Sequence, residues 1–156
     1  MSVQSTSAPE ILASYGIEED ASFYSEFTDP RDRSVLTVPL RITHAWAAND
    51  ADEFAEVFAE DGSLLMQDEQ LTSREQIRAY MRAGFEGGLR GAHVKGRPLQ
   101  VTFLTDDTAM VITQGGIILD GETETAPERR INATWIITER DGEWALLSHQ
   151  SSPANG

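Results

Sequence analysis

One stretch of this chain, residues 37–66, constrains the fold most because it predicts helix, turn, short helix and strand without interruption. Thr37 is expected to cap the first helix. Pro39 then lies in the first helical turn, where a missing backbone N–H costs little. The apolar residues that follow recur every four positions, which is typical of a helix with one buried face. This stripe consists of Val38, Ile42 and Trp46.

A second, shorter helix and a strand follow at once. Asn49 and Asp50 are expected to end the first helix and cap the second. Asp61 and Gly62 end the second helix in this interpretation, and residues 64–66 open a strand. The second apolar stripe is formed by Phe54, Val57 and Phe58. Two helices that lead into a strand predict a helix layer covering a sheet.

A third helix is predicted from Thr72, which forms a capping box with Glu75, to Gly87. Its apolar stripe is Ile77, Tyr80, Met81 and Phe85. Three arginines four residues apart, Arg74, Arg78 and Arg82, form a ridge on another face. The ridge is either a solvated helix face or a docking site for an anionic partner, such as a carrier-protein phosphate.

The chain changes to strand periodicity from His93 onward, with apolar and polar residues alternating. A glycine pair at residues 115–116 is expected to form a bulge. Asp141 and Gly142 separate two long strand patterns, which is a strong hairpin signal. The order predicts an α+β fold in which a strongly curved antiparallel sheet wraps around N-terminal helices.

Residues 1–33 are predicted to be an N-terminal arm, and residues 34–153 a single domain. The arm is polar and acidic, and its first ten residues are expected to be flexible. Further along, it carries enough apolar surface to lie against its own domain or a partner subunit. That surface comes from Tyr15, Phe23, Tyr24 and Phe27.

The charge and the composition exclude several classes of function. A net charge of −14 repels nucleic acid and anionic membranes. The first ten residues lack the features of a signal peptide, and the chain has no cysteine, so a cytoplasmic location is expected. Three histidines without metal-ligand spacing predict no metal site, and no cofactor is expected.

Residues 45–65 and 135–153, in this order of elements, resemble the nuclear transport factor 2-like (NTF2-like) superfamily. Within it the chain is similar to the SgcJ/EcaC group of SnoaL-like proteins, some of which are encoded with enediyne polyketide pathways. The resemblance implies a cone-shaped sheet (a cystatin-like α+β barrel), a largely apolar pocket at its open end and a homodimer formed through the sheet.

The resemblance also allows a test against the steroid isomerases of this superfamily. Their tyrosine, general-base aspartate and oxyanion-hole acid fall near Ile42, Met66 and Thr134, and none of these residues can do that chemistry. The paired Asp-Arg-Asp arrangement of the epoxide hydrolases is not evident either. Whether the chain is an enzyme therefore stays open at this point.

His149 is the candidate catalytic residue, because it lies near the end of the last strand and histidine titrates near neutral pH. The candidate ligand-binding residues are Trp46, Met66, Met110, Gln114, Arg130, Asn132, Thr134 and Trp135. The inward face of the last hairpin depends on its register. A two-residue turn pairs Thr134 with His149, whereas a three-residue turn with a bulge places Ala133 opposite His149.

The resulting expectation is a small pocket protein of polyketide biosynthesis, including the enediyne type. It binds a hydrophobic, polyunsaturated intermediate and assists its cyclisation, isomerisation or oxidation. His149 would be the acid or base, and Arg130 and Asn132 would orient the ligand or stabilise negative charge. The alternative is a non-catalytic dimeric carrier or assembly module for such an intermediate.

Overall fold

The computed structural model describes residues 7–66 and 68–154. Its α-helices are α1 (Ala8–Ser14), α2 (Pro30–Ala48), α3 (Ala51–Glu56) and α4 (Arg74–Glu86). Its strands are β1 (Phe58–Met66), β2 (Glu69–Leu71), β3 (His93–Thr105), β4 (Thr108–Ile118), β5 (Arg130–Arg140) and β6 (Glu143–Pro153). Two 3-10 helices, Ala21–Tyr24 and Pro127–Arg129, precede α2 and β5.

Helix α2 begins seven residues before the predicted cap at Thr37. The Asp29 carboxylate accepts hydrogen bonds from the backbone N–H groups of Arg31 and Asp32 and thereby caps the helix. Pro39 consequently lies inside the helix, where proline costs about 3 kcal/mol. The prediction failed because tertiary burial outweighs this cost, since every residue from 34 to 42 is buried.

Helix α3 is shorter than predicted, and Phe58 starts β1 instead of extending the helical stripe. Asp61 and Gly62 therefore lie within the strand, where the pairing with β6 shifts register between Phe58 and Ser63. A Cβ on Gly62 would lie 2.9 Å from the Ala59 carbonyl oxygen, so this irregular backbone needs glycine.

Helix α4 is capped by Ser73, one residue after the predicted cap at Thr72. The Ser73 hydroxyl accepts a hydrogen bond from the Gln76 backbone N–H at 3.2 Å. The Gln76 side chain in turn accepts one from the Thr72 backbone N–H at 2.8 Å. The predicted apolar stripe is correct at the three positions that are buried, Ile77, Met81 and Phe85.

The six strands form one sheet in the order β2-β1-β6-β5-β4-β3. All neighbours are antiparallel except β1 and β6, which are parallel. The predicted bulge at residues 115–116 is wrong, because β4 pairs without interruption there. The β3–β4 register shifts instead between Pro98 and Gln100 and between Phe103 and Thr105. A curved α+β sheet of this kind confirms the predicted fold class.

The core lies between the helices and one face of the sheet, and the N-terminal segment takes part in it. Leu12 of α1 and Tyr24 of the first 3-10 helix are fully buried. The flexibility predicted for the first ten residues falls partly on residues 1–6, outside the described residues. Ala8–Ser14 forms α1, with a capping box between Ser7 and Glu10. Within residues 7–66 and 68–154, no helix is both long and apolar enough to cross a membrane.

Candidate functional site

The register of the last hairpin decides which side chains reach the interior. Asp141 and Gly142 form a two-residue turn, so that Arg140 pairs with Glu143. The register then shifts by one residue at a bulge in β6, between the Ile137–Leu146 and Ile136–Ser148 pairs. Trp135 therefore lies opposite His149, which is neither of the two predicted pairings. The error arose because the bulge lies within the strand and not at the turn.

An apolar cavity of about 400 Å³ opens between the helices and the inward face of the sheet. Its volume lies within the range of pockets that hold a drug-sized molecule. Helix α2, the 3-10 helix before it and strands β1 and β3–β6 all contribute to its wall. Four of the predicted site residues line the cavity: Trp46, Met66, Trp135 and His149.

The other five predicted residues do not line the cavity. They are Met110, Gln114, Arg130, Asn132 and Thr134. Successive residues of a strand point to opposite faces, and Ala109, Val111, Ala133 and Trp135 are the buried, inward-facing ones. On the outward face, Gln114 donates a hydrogen bond to Asn132 at 3.2 Å and accepts one from Arg97 at 3.2 Å. Arg130 and Asn132 therefore cannot assist His149 within the cavity.

His149, Trp135 and Thr113 form one connected group of polar side chains in the cavity wall. The two rings meet edge to face, with centroids 4.4 Å apart. Trp135 Nε1 donates a hydrogen bond to Thr113 Oγ1 at 2.8 Å. His149 Nδ1 is buried and has no hydrogen-bond partner. Burial lowers the pKa of His149 to about 4, so the imidazole is neutral at pH 7.

Charged residues that line the cavity are found at its more exposed positions. Asp68, Lys95 and Glu128 are exposed, whereas Arg129 is only partly so. Arg129 is already paired with Glu122 through a charge-assisted hydrogen bond, and its Nη1 lies 3.7 Å from Glu128 Oε1. The charge is thus concentrated at the rim, and the interior is apolar.

Two of the three positions matched to the steroid isomerases carry apolar side chains in the cavity wall. Ile42 and Met66 line the cavity directly. Thr134 faces outward, and its inward neighbours on β5 are Ala133 and Trp135. Among the residues that the structure describes, no group of three or more metal-ligating side chains is present. The cavity can therefore bind and orient an apolar molecule and offer it a neutral imidazole.

Thr113 and Phe23 are among the cavity residues that the sequence did not predict. Thr113 belongs to the inward series of β4, and alternation from Ala109 and Val111 could have indicated it. Phe23 comes from the N-terminal segment. It was recognised as part of an apolar surface but not as part of a binding site, because its distance from the cavity in sequence carries no information about its position in space.

The arginine ridge of α4 is engaged in contacts within the molecule. Arg78 and Arg82 both donate to Asp52 Oδ1 at 2.9 Å. Arg74 donates from Nε and Nη2 to the Phe58 carbonyl oxygen, at 3.0 and 2.7 Å. A docking partner would have to compete with these contacts, and the carrier-protein site stays a prediction.

Fold and cavity together define a small α+β domain with an apolar pocket between helices and a curved sheet. The chain belongs to the SnoaL-like domain family, whose model matches residues 35–156. No match was found among curated proteins.

Solved structures share the fold of this chain. A domain of unknown function with a cystatin-like fold from Nostoc punctiforme is 23% identical, with a TM-score of 0.73 over 81% of this chain and 79% of that chain. An NTF2-like protein with a cystatin-like fold from Novosphingobium aromaticivorans is 18% identical. Its TM-score is 0.69 over 81% of this chain and 84% of that chain. At such identities the likeness shows the fold alone.

Proposed function

We propose that this protein binds a hydrophobic, polyunsaturated intermediate of secondary metabolism, of the polyketide or enediyne type, and assists its cyclisation, isomerisation or oxidation. The observation that carries the binding part is the apolar cavity of about 400 Å³ with a single neutral imidazole in its wall. The resemblance of the chain to the SgcJ/EcaC group is the ground for the metabolic class.

The cavity wall favours enclosure and orientation as the source of any rate effect. Trp46, Ile42 and Met66 offer apolar surface, and holding a flexible polyene in one reactive conformation lowers the entropic part of a barrier. Because the imidazolium form of His149 is scarce at pH 7, the residue serves as a hydrogen-bonding group or a weak base. A role as general acid is disfavoured.

Tryptophan fluorescence tests the binding site directly. Trp46 and Trp135 line the cavity, whereas Trp144 does not. The methyl ester of cis-parinaric acid, an uncharged conjugated tetraene, is expected to quench the first two and to gain fluorescence itself. Trp46→Phe and Trp135→Phe should each change the affinity for the ester in this titration, while the control Trp144→Phe should leave the affinity unchanged. Absence of quenching in the unmodified protein would refute a hydrophobic site.

His149→Phe tests the catalytic part in a producing pathway. It keeps an apolar ring in the wall and removes both ring nitrogens. A changed yield or product profile supports a role in the reaction, and an unchanged one removes the histidine from the mechanism. Asn132→Ala, on the outward face, is the matched control and should change neither.

The alternative proposal is a non-catalytic carrier, and the uncharged state of His149 favours it. A carrier binds its ligand one-to-one and returns it unchanged, whereas an enzyme converts it. Incubation of the protein with polyene intermediates from the producing strain, followed by mass spectrometry of the extracted ligand, separates the two.

We also propose that the outward sheet face forms a homodimer interface. Ile112 and Ile136 are only partly buried there and lie on the same face as the Gln114–Asn132 hydrogen bond. Sedimentation of the protein and of Ile136→Arg tests this: a dimer that the substitution dissociates supports the interface. A monomer at all concentrations contradicts it.

A further inference from the structure

A segment outside the part matched by the family model closes one side of the cavity. We call residues 15–27 the strap. Its 3-10 helix, Ala21–Tyr24, packs against both α2 and β3, and β3 is an edge strand of the sheet. Phe23 is partly buried and lines the cavity. The strap thus covers the gap between the edge of the sheet and the helix layer.

The downstream end of the strap is anchored by Arg33 of α2. The Arg33 guanidinium carbon lies 4.6 Å from the centroid of the Tyr24 ring, and its Nε donates to the Phe27 carbonyl oxygen at 2.8 Å. Tyr24 is fully buried, and its hydroxyl donates to Glu19 Oε2 at 2.8 Å. These contacts hold the residue next to Phe23 in place.

The upstream end is anchored independently through Tyr15. The guanidinium carbon of Arg41 lies 3.7 Å from the centroid of the Tyr15 ring, and the Tyr15 hydroxyl donates to Glu143 Oε1 at 3.0 Å. Arg41 is itself 5% exposed and donates to the Trp144 carbonyl oxygen at 3.2 Å. The strap is therefore fixed to both α2 and β6 before it reaches the cavity.

We propose that Phe23 contacts the bound ligand and determines how long a ligand the cavity accepts. The inference rests on the proposed binding function. Both flanks of Phe23 are fixed to the domain, so the backbone that carries its ring cannot move away from the cavity without breaking these contacts. A rigid aromatic wall at this side limits ligand length and offers conjugated ligands a π surface.

The test uses displacement of bound cis-parinaric acid methyl ester by straight-chain alcohols from octanol to hexadecanol. The measured quantity is the affinity for hexadecanol divided by the affinity for octanol. Phe23→Ala is expected to raise this ratio about tenfold, because the additional methylene groups of the longer alcohol can occupy the space that the ring leaves. Phe27→Ala is the matched control. Phe27 belongs to the same strap and packs against the core, but it does not line the cavity.

A larger ratio in Phe23→Ala together with an unchanged ratio in Phe27→Ala supports the inference. An unchanged ratio, or the same shift in both variants, overturns it. Circular dichroism establishes folding, and Phe23→Leu, which should shift the ratio in the same direction by less, replaces the alanine variant should that one unfold. Failure of the unmodified protein to bind the ester refutes the proposed function instead, so the two failures are distinguishable.

Discussion

The two faces of strands β4–β6 differ in a way that their residue types do not reveal. The inward face carries Trp135 and His149 against an apolar cavity. The outward face carries Gln114 and Asn132 in an exposed hydrogen bond. Polar side chains occur on both faces, yet only those of the inward face are placed where an apolar ligand would meet them.

The comparison teaches that register, rather than polarity, selects the site. A single bulge in β6 sets Trp135 opposite His149. A shift of one residue in a strand moves every side chain to the other face. Neighbouring residues on β5 are therefore natural pairs for experiments, since the same substitution can be made once on each face.

The largest expected difference in the free energy of unfolding is between the alanine variants of Ile137 and Ile136. Ile137 is fully buried on the inward face, so Ile137→Ala should lower the free energy of unfolding by about 3 kcal/mol. Ile136 is only partly buried on the outward face, and Ile136→Ala should cost less than about 1.5 kcal/mol. Urea denaturation measures both. Equal losses at protein concentrations where the chain is monomeric would contradict the contrast, whereas equal losses in the dimer alone would reflect the partner subunit proposed to cover the outward face.

The pH dependence of the free energy of unfolding should depend on His149, on the inward face, and not on residues of the outward face. Its pKa is about 4 in the folded protein and 6.5 ordinarily. The unfolded state therefore binds more protons between these values, and stability falls as the pH drops from 6.5 to 4. Above 6.5 both states are neutral and this contribution is constant.

His149→Asn should remove this loss of stability between pH 6.5 and 4, which amounts to about 2 kcal/mol after allowance for partial exposure of the ring. Urea denaturation at several pH values provides the measurement. Gln150→Asn, on the outward face, is the control and should show the same pH dependence as the unmodified protein. An identical slope in His149→Asn would mean that the histidine is not held neutral.

A smaller contrast is expected between two threonines. Thr113→Val removes the acceptor of the buried Trp135 indole N–H and should cost about 1.5 kcal/mol. Thr134→Val, on the exposed face of β5, should change stability by less than about 0.5 kcal/mol. Thermal unfolding followed by tryptophan fluorescence compares them. A neutral Thr113→Val would indicate that the indole finds another partner.

The smallest effect is expected at the outward polar pair. Asn132→Ala removes an exposed hydrogen bond and should change the free energy of unfolding by less than about 0.5 kcal/mol. It should also leave the affinity for cis-parinaric acid methyl ester unchanged. A clear loss of affinity, measured by the same fluorescence titration, would show that Asn132 contributes to ligand binding.

Local signals predicted much of the fold. The stripe of α4, the turn at Asp141 and Gly142 and the change from helical to strand period were all readable, because each depends on residues close together in the chain. The start of α2 was missed because Thr37 alone was predicted as its cap, whereas Asp29 caps the helix in the structure. The burial that favours the longer helix involves residues far away in sequence.

The candidate site was predicted less well. Trp46 and Met66 were among the predicted residues that line the cavity, whereas Gln114 and Asn132, also named as candidates, lie on the outward face, which the sequence left open. Their orientation depends on the pairing of whole strands. Phe23 was out of reach, since its approach to the cavity depends on Arg33 and Arg41 anchoring the strap.

The sequence by itself determined the class of fold and the supply of apolar groups for a pocket, because helical and strand periods are local properties of the chain. Only the tertiary structure decided that Trp135 and His149 face each other across two strands and that Phe23 joins them in one cavity. The physical reason is that the bulge in β6 sets the pairing of that strand with β5, and that Phe23 reaches the cavity only when the strap packs against α2 and β3. The effects of the bulge and the strap on burial and on the pKa of His149 exist only once distant segments meet.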